Sequence, residues 1–316
     1  MEIIAEMKRV FTEKFGRGAE AAYFSPGRVN LIGEHTDYNG GHVFPCAISL
    51  GTYAVAAKRS DAQVRLYSMN ITKAGIVTVP SAQGLSYEAA HDWANYPLGV
   101  IRMLEEAGYP VSTGLDIVFY GTLPNGAGLS SSASIEVLMA VILDDMFGWG
   151  LDRITLVKIA QKAENKFVGV NCGIMDQFAV GMGKTDCAIL LDCNTLEYRY
   201  SKLDLQDCSI VITNTNKKHS LGASKYNERR SQCESALKEL QQVKSIQALG
   251  ELTNEEFDAL AGRITDPVER RRARHAVCEN QRTLQAVAAL ERNDVAEFGR
   301  LMNASHVSLR DDYEVT

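Results

Sequence analysis

Leu115-Asp116-Ile117-Val118-Phe119-Tyr120-Gly121-Thr122-Leu123-Pro124-Asn125-Gly126-Ala127-Gly128-Leu129-Ser130-Ser131-Ser132-Ala133-Ser134 decides how this chain is read. Leu115, Ile117 and Phe119 alternate with Asp116, Val118 and Tyr120, the two-residue period of a strand. Residues 122–129 are too rich in Gly and Pro for either regular element. The serine-rich run then opens a helix that the apolar residues of Val137–Leu143 carry to about Phe147. Glycines let backbone N–H groups approach a ligand without Cβ interference. A helix N-terminus adds free donors and the positive end of a dipole. Together these describe an anion site, most often for phosphate. The same residues also describe a plain serine-capped helix after a glycine turn. Two other phosphate motifs are excluded. In the dinucleotide fingerprint the sixth position, counted from Gly126, must be glycine, and it is Ser131. Gly183-Lys184-Thr185 lacks the glycine five residues earlier, where Phe178 stands.

Working outward, Glu2 to Phe11 spaces Ile3, Ile4, Met7 and Val10 as an amphipathic helix rather than a signal peptide. Ala21–Phe24 reads as a short strand ending in a Ser25-Pro26-Gly27 turn. Strands are expected at 52–59, 63–68, 76–80, 187–193, 196–200 and 209–214, and helices at 92–107 and 152–168. Beyond Ser224 the pattern is helical, over 225–243, 254–262, 267–290 and 293–303. Asp266-Pro267 is a helix start, with Asp as cap and Pro in the first turn. The fold class is therefore α+β, with an N-terminal mixed sheet with helices and a helix-rich second part. A boundary near 195–215 gives domains 1–200 and 201–316.

The 316 residues are 46% hydrophobic and 23% charged, which excludes disordered, collagenous and coiled-coil chains. Seven cysteines without a CxxC pair argue against a disulfide framework and a zinc site, and for a reducing, cytoplasmic setting. A net charge of −6 argues against nonspecific nucleic-acid binding. The one basic run, Arg270, Arg271, Arg272 and Arg274, reads as a solvated helix face. No stretch approaches the ~20 apolar residues of a membrane span. A small-molecule substrate and a monomer are expected.

Three further groups of residues suit chemistry. Pro26 to Gly41 crowds Arg28, Asn30, Glu34, His35, Thr36, Asp37, Tyr38 and Asn39 between glycines. Carboxylates that accept from vicinal hydroxyls, beside a fixed guanidinium, suit a polyhydroxylated ligand. A solvated surface turn would use the same residues. Asp176 lies among Cys172, Ile174, Met175 and Phe178, where a carboxylate needs a partner or a task unless it caps a helix. Glu164 lies on a helix of core-like spacing and is either a metal ligand or a solvated residue. A phosphate loop, a hydroxyl-reading loop and a half-buried Asp together imply phosphoryl transfer to an alcohol, which works by positioning and charge neutralisation.

At these residues the chain resembles the galactokinases, within the GHMP small-molecule kinase superfamily. Pro26–Gly41 resembles their sugar-binding signature, and Leu123–Ser134 the superfamily's phosphate-binding motif. Cys172–Phe178, Tyr226–Arg230 and Ser308–Tyr313 are also galactokinase-like. The resemblance implies a two-domain GHMP kinase fold and the reaction ATP + D-galactose → galactose 1-phosphate + ADP. It implies that Glu34, His35, Thr36, Asp37, Gly173, Asp176 and Tyr226 bind the sugar, with Asp176 as base on its C1 hydroxyl and Arg28 beside it. It implies that Gly126, Ala127, Gly128, Leu129, Ser130, Ser131 and Ser132 wrap the ATP phosphates, with Ser132 and Glu164 positioning Mg²⁺. Ser68 and Trp93 are expected near the adenosine. Family members continue into a third glycine-rich motif that this sequence does not contain, so the second domain is expected to be incomplete at its C-terminus. A galactose sensor without turnover and an N-acetylgalactosamine kinase are the competing readings. The intact Ser132-Ala133 pair favours an enzyme.

Overall fold

The computed structural model describes residues 2–80, 84–124, 126–205, 207–214 and 222–315. Asn125, in the glycine loop, lies outside them. The chain packs into two compact units that interleave in sequence. The first takes residues 1–28, 48–172 and 176–182, and the second takes 29–47, 173–175 and 183–316. This division runs across the expected 1–200 and 201–316 halves, because residues 29–47, 173–175 and 183–200 of the first half pack with the second.

The first unit holds a five-stranded sheet. Its strands are β1 (Ala21–Asn30), β3 (Pro45–Lys58), β4 (Gln63–Ser68), β5 (Ile76–Pro80) and β6 (Leu115–Gly121), and β2 (His42–Val43) belongs elsewhere. The order is β1-β3-β6-β4-β5. The sheet is mixed, as expected. β6 runs antiparallel to β3, pairing Thr52 with Gly121, and parallel to β4, pairing Val64 with Leu115.

The alternation of β6 sorts two cores. Leu115, Ile117 and Phe119 join Ala54, Ala56 and Leu66 under helices α2 (Asn95–Glu106), α3 (Ser131–Phe147) and α4 (Arg153–Ala163). Val118 joins Val55, Ala57 and Tyr67 under Met7, Val10 and Phe11 of helix α1 (Glu2–Phe15). Asp116, fully buried, takes ion pairs from Arg17, Arg59 and Arg65 at 2.9, 3.0 and 2.6 Å.

Three expectations are corrected here. β1 does not stop at Phe24 but runs through Ser25-Pro26-Gly27 to Asn30. It is the edge strand, where the missing N–H of proline costs no ladder bond. The helix expected over 152–168 is α-helical only to Ala163 and then widens into a π-turn over Glu164–Val168. Residues 209–214 form no strand, and Ile210, Val211 and Ile212 are exposed. Their β-branched content favours extended backbone, but no strand among the described residues pairs with them.

Helix α5 (Met175–Met182) packs Val180 against Ala133 and Val137 of α3 and Ala160 of α4. Asp176 lies four residues before Val180, so it shares the face turned toward α3.

The second unit pairs β2, β7 (Cys187–Asp192) and β8 (Tyr198–Lys202) in an antiparallel sheet. With it go helices α6 (Gly222–Leu240), α7 (Asn254–Leu260), α8 (Pro267–Glu291) and α9 (Val295–Asp311). Asp266 caps α8 by accepting from Val268 and Glu269, with Pro267 in the first turn, as the sequence indicates. The basic run on α8 is not a solvated face. Arg272 is 1% exposed and donates to the Asp312 carbonyl, to Gln232 and to Glu314. Arg271 pairs with Glu314 and Arg274 with Asp258. A run of guanidiniums looks solvated in one dimension, and only the packed chain reveals the acceptors.

Candidate active site

The first unit brings the glycine loop and the expected acid–guanidinium pair together. Arg28 Nε and Nη2 donate to one oxygen of Asp176 at 2.9 and 2.6 Å. Arg28 Nη1 donates to the Gly128 carbonyl at 2.7 Å, and its backbone N–H to the Leu129 carbonyl at 3.3 Å. The guanidinium thus ties strand β1, the loop and helix α5 to one point. Gly126 and Gly128 hold φ of 69° and 71°, the left-handed region where a side chain is strained.

Ser130 also takes this conformation, at φ 58°, which costs a non-glycine residue roughly 1–2 kcal/mol. It makes no side-chain cap to α3. Its hydroxyl donates to the second Asp176 oxygen at 2.5 Å. The first turn of α3 therefore keeps amide donors for an anion, and Asp176 is held by a partner on each oxygen. Expected only as a phosphate contact, Ser130 is thus also the second support of Asp176. Its place at the head of a helix hid that role.

Glu164 stands at the start of the π-turn and is 7% exposed. Burial raises its pKa, and the negative charge of Asp176 adds to the rise. The Ser132 hydroxyl, on the first turn of α3, favours its charged form. Glu136, one helical turn beyond Ser132, is fully buried, and burial with the Glu164 charge pushes it well above the ordinary carboxylate range. Gln177 donates to both carboxyls, at 3.1 Å to Glu136 and 2.6 Å to Glu164. Among the described residues no group of three or more His, Cys, Asp and Glu could hold a metal. A hydroxyl and one carboxylate still fit Mg²⁺, which keeps waters and substrate phosphates as most of its ligands. The sequence signal for Glu136 and Gln177 was present but quiet: an acid in an apolar helix, and an amide beside the base.

Ser68 and Trp93 line one cavity of about 270 Å³ that also reaches Tyr96, Phe119, Ser131 and Ser132. A pocket of mixed polar and aromatic lining that opens onto the start of α3 has room for a nucleoside.

The second unit holds the polar loop. Glu34 accepts from Asn30 Nδ2 at 3.1 Å, and Asp37 accepts from the Tyr38 backbone N–H at 3.0 Å. Gly173 lies against Asp37 so closely that a Cβ there would sit 2.0 Å from its carboxylate oxygen. The His35 ring stacks on Tyr313 at 4.6 Å and lies 5.7 Å from Tyr226. Burial lowers the His35 pKa to about 3, so the ring is neutral. Its Nδ1 meets the Tyr38 hydroxyl at 2.9 Å. Below the loop, His275 donates from Nε2 to the Glu34 carbonyl at 3.0 Å.

Thr36 is a correction. Expected among the sugar contacts, it is fully buried, and its hydroxyl lies 2.8 and 2.7 Å from the carbonyls of Gly33 and His42. It braces the loop from inside. His275 on α8 and Tyr313 just past α9, which brace it from about 240 to 275 residues away, could not be tied to the loop from sequence alone.

Comparison with known proteins places the family. The galactokinase galactose-binding signature matches residues 9–58, and the GHMP kinases N terminal domain matches residues 95–184. Curated galactokinases of Clostridium beijerinckii and Clostridium acetobutylicum are 60% and 59% identical over 316 residues, all of this chain and 81% of each relative. The crystal structure of Lactococcus lactis galactokinase complexed with galactose matches with a TM-score of 0.95 at 48% identity, over 99% of this chain and 81% of that one. The mevalonate kinase of Methanococcus jannaschii, 16% identical with a TM-score of 0.60 over 95% of this chain and 81% of that one, shares the fold alone. With two signatures, full-chain relatives and a near-superimposable fold, the chain belongs to the galactokinase family.

Proposed function

We propose that the chain transfers the γ-phosphoryl group of ATP to the C1 hydroxyl of D-galactose, giving galactose 1-phosphate and ADP. The observation that carries this reading is the linkage of Arg28, Asp176 and Ser130 at the uncapped start of α3. Asp176 takes the proton of the attacking hydroxyl as the bond to phosphorus forms. Arg28, fixed on Asp176 and on the Gly128 carbonyl, supplies a positive charge to the transferring group without reorganising. Backbone amides of residues 126–132 bind the phosphate oxygens, and Ser68 and Trp93 take the adenosine. Glu34, His35, Asp37, Gly173 and Tyr226 read the sugar, the carboxylates accepting from its hydroxyls. Ser132 and Glu164 would hold Mg²⁺, which when bound would supply positive charge to neutralise the transferring phosphates. No disulfide joins the seven cysteines, which supports a cytoplasmic setting, and we take the working unit to be a monomer.

The test is ADP release with galactose, N-acetylgalactosamine, glucose or no sugar, for the wild type and Asp176→Asn. Galactose-dependent turnover is expected in the wild type. A drop of at least about 1,000-fold is expected in the variant, with ATP affinity retained, since the removed group acts on the reacting proton. Retained turnover in Asp176→Asn would take that carboxylate out of the chemistry.

A further inference from the structure

Gln177 sits beside Asp176 on α5, yet it faces the other way chemically. It is fully buried, and its amide nitrogen donates to Glu164 at 2.6 Å and to Glu136 at 3.1 Å. Its amide oxygen has no hydrogen-bond partner, and neither does one oxygen of Glu136. Two buried polar atoms left unpaired are costly, and a buried carboxyl without full pairing is more so. Stability alone would favour an apolar residue at 136 or 177. What the arrangement does achieve is orientation. Glu164 stands on a π-turn, a backbone less regular than the helix before it, so its rotamer needs an outside anchor. The shorter of the two Gln177 bonds supplies that anchor on one carboxylate oxygen. Glu136 holds the amide in the orientation that points both N–H groups at carboxylates.

We propose that Gln177, oriented by Glu136, is a positioning residue for the cation: it fixes the Glu164 carboxylate for Mg²⁺ and ties that site to the helix carrying Asp176. This rests on the reading of Ser132 and Glu164 as the metal site. Residues that hold a metal ligand in place change metal affinity typically 10–100-fold when replaced. They leave the rest of the substrate contacts alone.

The experiment titrates Mn²⁺ into protein saturated with a non-hydrolysable ATP analogue and follows free Mn²⁺ by electron paramagnetic resonance. Gln177→Met keeps length and bulk but removes the donors. It is expected to weaken Mn²⁺ binding at least 10-fold, with galactose KM within twofold of wild type and turnover recovering as Mg²⁺ is raised. Glu136→Met keeps the bulk but removes the acceptor that orients the amide, so it is the variant to use if Gln177→Met does not fold. It is expected to weaken Mn²⁺ at least threefold. Mn²⁺ affinity within twofold of wild type in either folded variant overturns the inference. Glu164→Gln separates the two readings. If it loses Mn²⁺ while Gln177→Met does not, the metal site stands and the positioning role falls. If Glu164→Gln binds Mn²⁺ normally, both fall.

Discussion

One missing β-carbon shapes the sugar loop. Gly173 leaves room for the Asp37 carboxylate, and a methyl group there would lie 2.0 Å from one of its oxygens. Gly173→Ala must therefore push Asp37 aside while leaving the glycine loop of the first unit untouched. The expected result is a galactose KM raised at least 10-fold, with the ATP KM within twofold. Steady-state kinetics with each substrate varied in turn measures both. Equal changes in the two would contradict a sugar-reading Asp37. The same scale separates residues that look alike in sequence. Thr36 and Asp37 are neighbours in one polar loop, but the hydroxyl is buried on backbone carbonyls and the carboxylate borders Gly173. Their spacing could not tell them apart, because which neighbour points inward depends on the turn over Asp37–Asn39.

Among elements, β6 shows what a buried charge costs. Its Asp116 is surrounded by three guanidiniums on the face that packs under α1. Burial pushes this carboxyl up, and hydrogen bonds from Arg65, Arg17 and Arg59 more than reverse that, leaving the pKa lowered. Asp116→Asn strips three cations of their partner and should cost about 3–5 kcal/mol. Asp266→Ala removes only the cap of α8 and should cost about 1 kcal/mol. Urea unfolding of the two variants compares them, and similar losses would mean that the guanidiniums find other partners. Both features also mark how far the elements were legible. The strand 115–121 and the start of α8 could be read locally, because alternation and capping act over a few residues. The length of β1 could not, since Pro26 is tolerated only at an edge, and edge position is a property of the whole sheet. In the site, Arg28, Asp176 and the glycine loop carried visible motifs. Ser130 holding Asp176, and Gln177 holding Glu164, join residues 46 and 13 positions apart and needed the packed helices.

At the scale of the molecule, two buried histidines of the second unit and one buried carboxyl of the first respond to pH in opposite directions. In the second, burial lowers the pKa of His35 to about 3, and that of His275 is lowered as well. Below the ordinary histidine value near 6.5 the unfolded chain binds protons that these folded rings refuse. For His35, stability of that unit then falls as pH drops from about 6.5 toward 3, by about 1.4 kcal/mol per pH unit, and His275 adds a loss of the same sign. In the first unit, burial raises the pKa of Glu136 well above its usual value. There the folded state holds a proton that the unfolded chain has released, so stability is complete below about 4.5 and declines as pH rises toward the folded pKa. Acidification from pH 7.5 to 5.5 should therefore weaken the second unit and not the first. Hydrogen exchange followed by mass spectrometry measures each unit separately. Faster exchange is expected in α8 and in residues 29–47, with β6 and α3 unchanged or slower. If exchange instead accelerated equally throughout, the two rings would not be titrating as their burial requires. His275→Gln, which removes one of them, should flatten the acid limb of the second unit without abolishing it, since His35 remains.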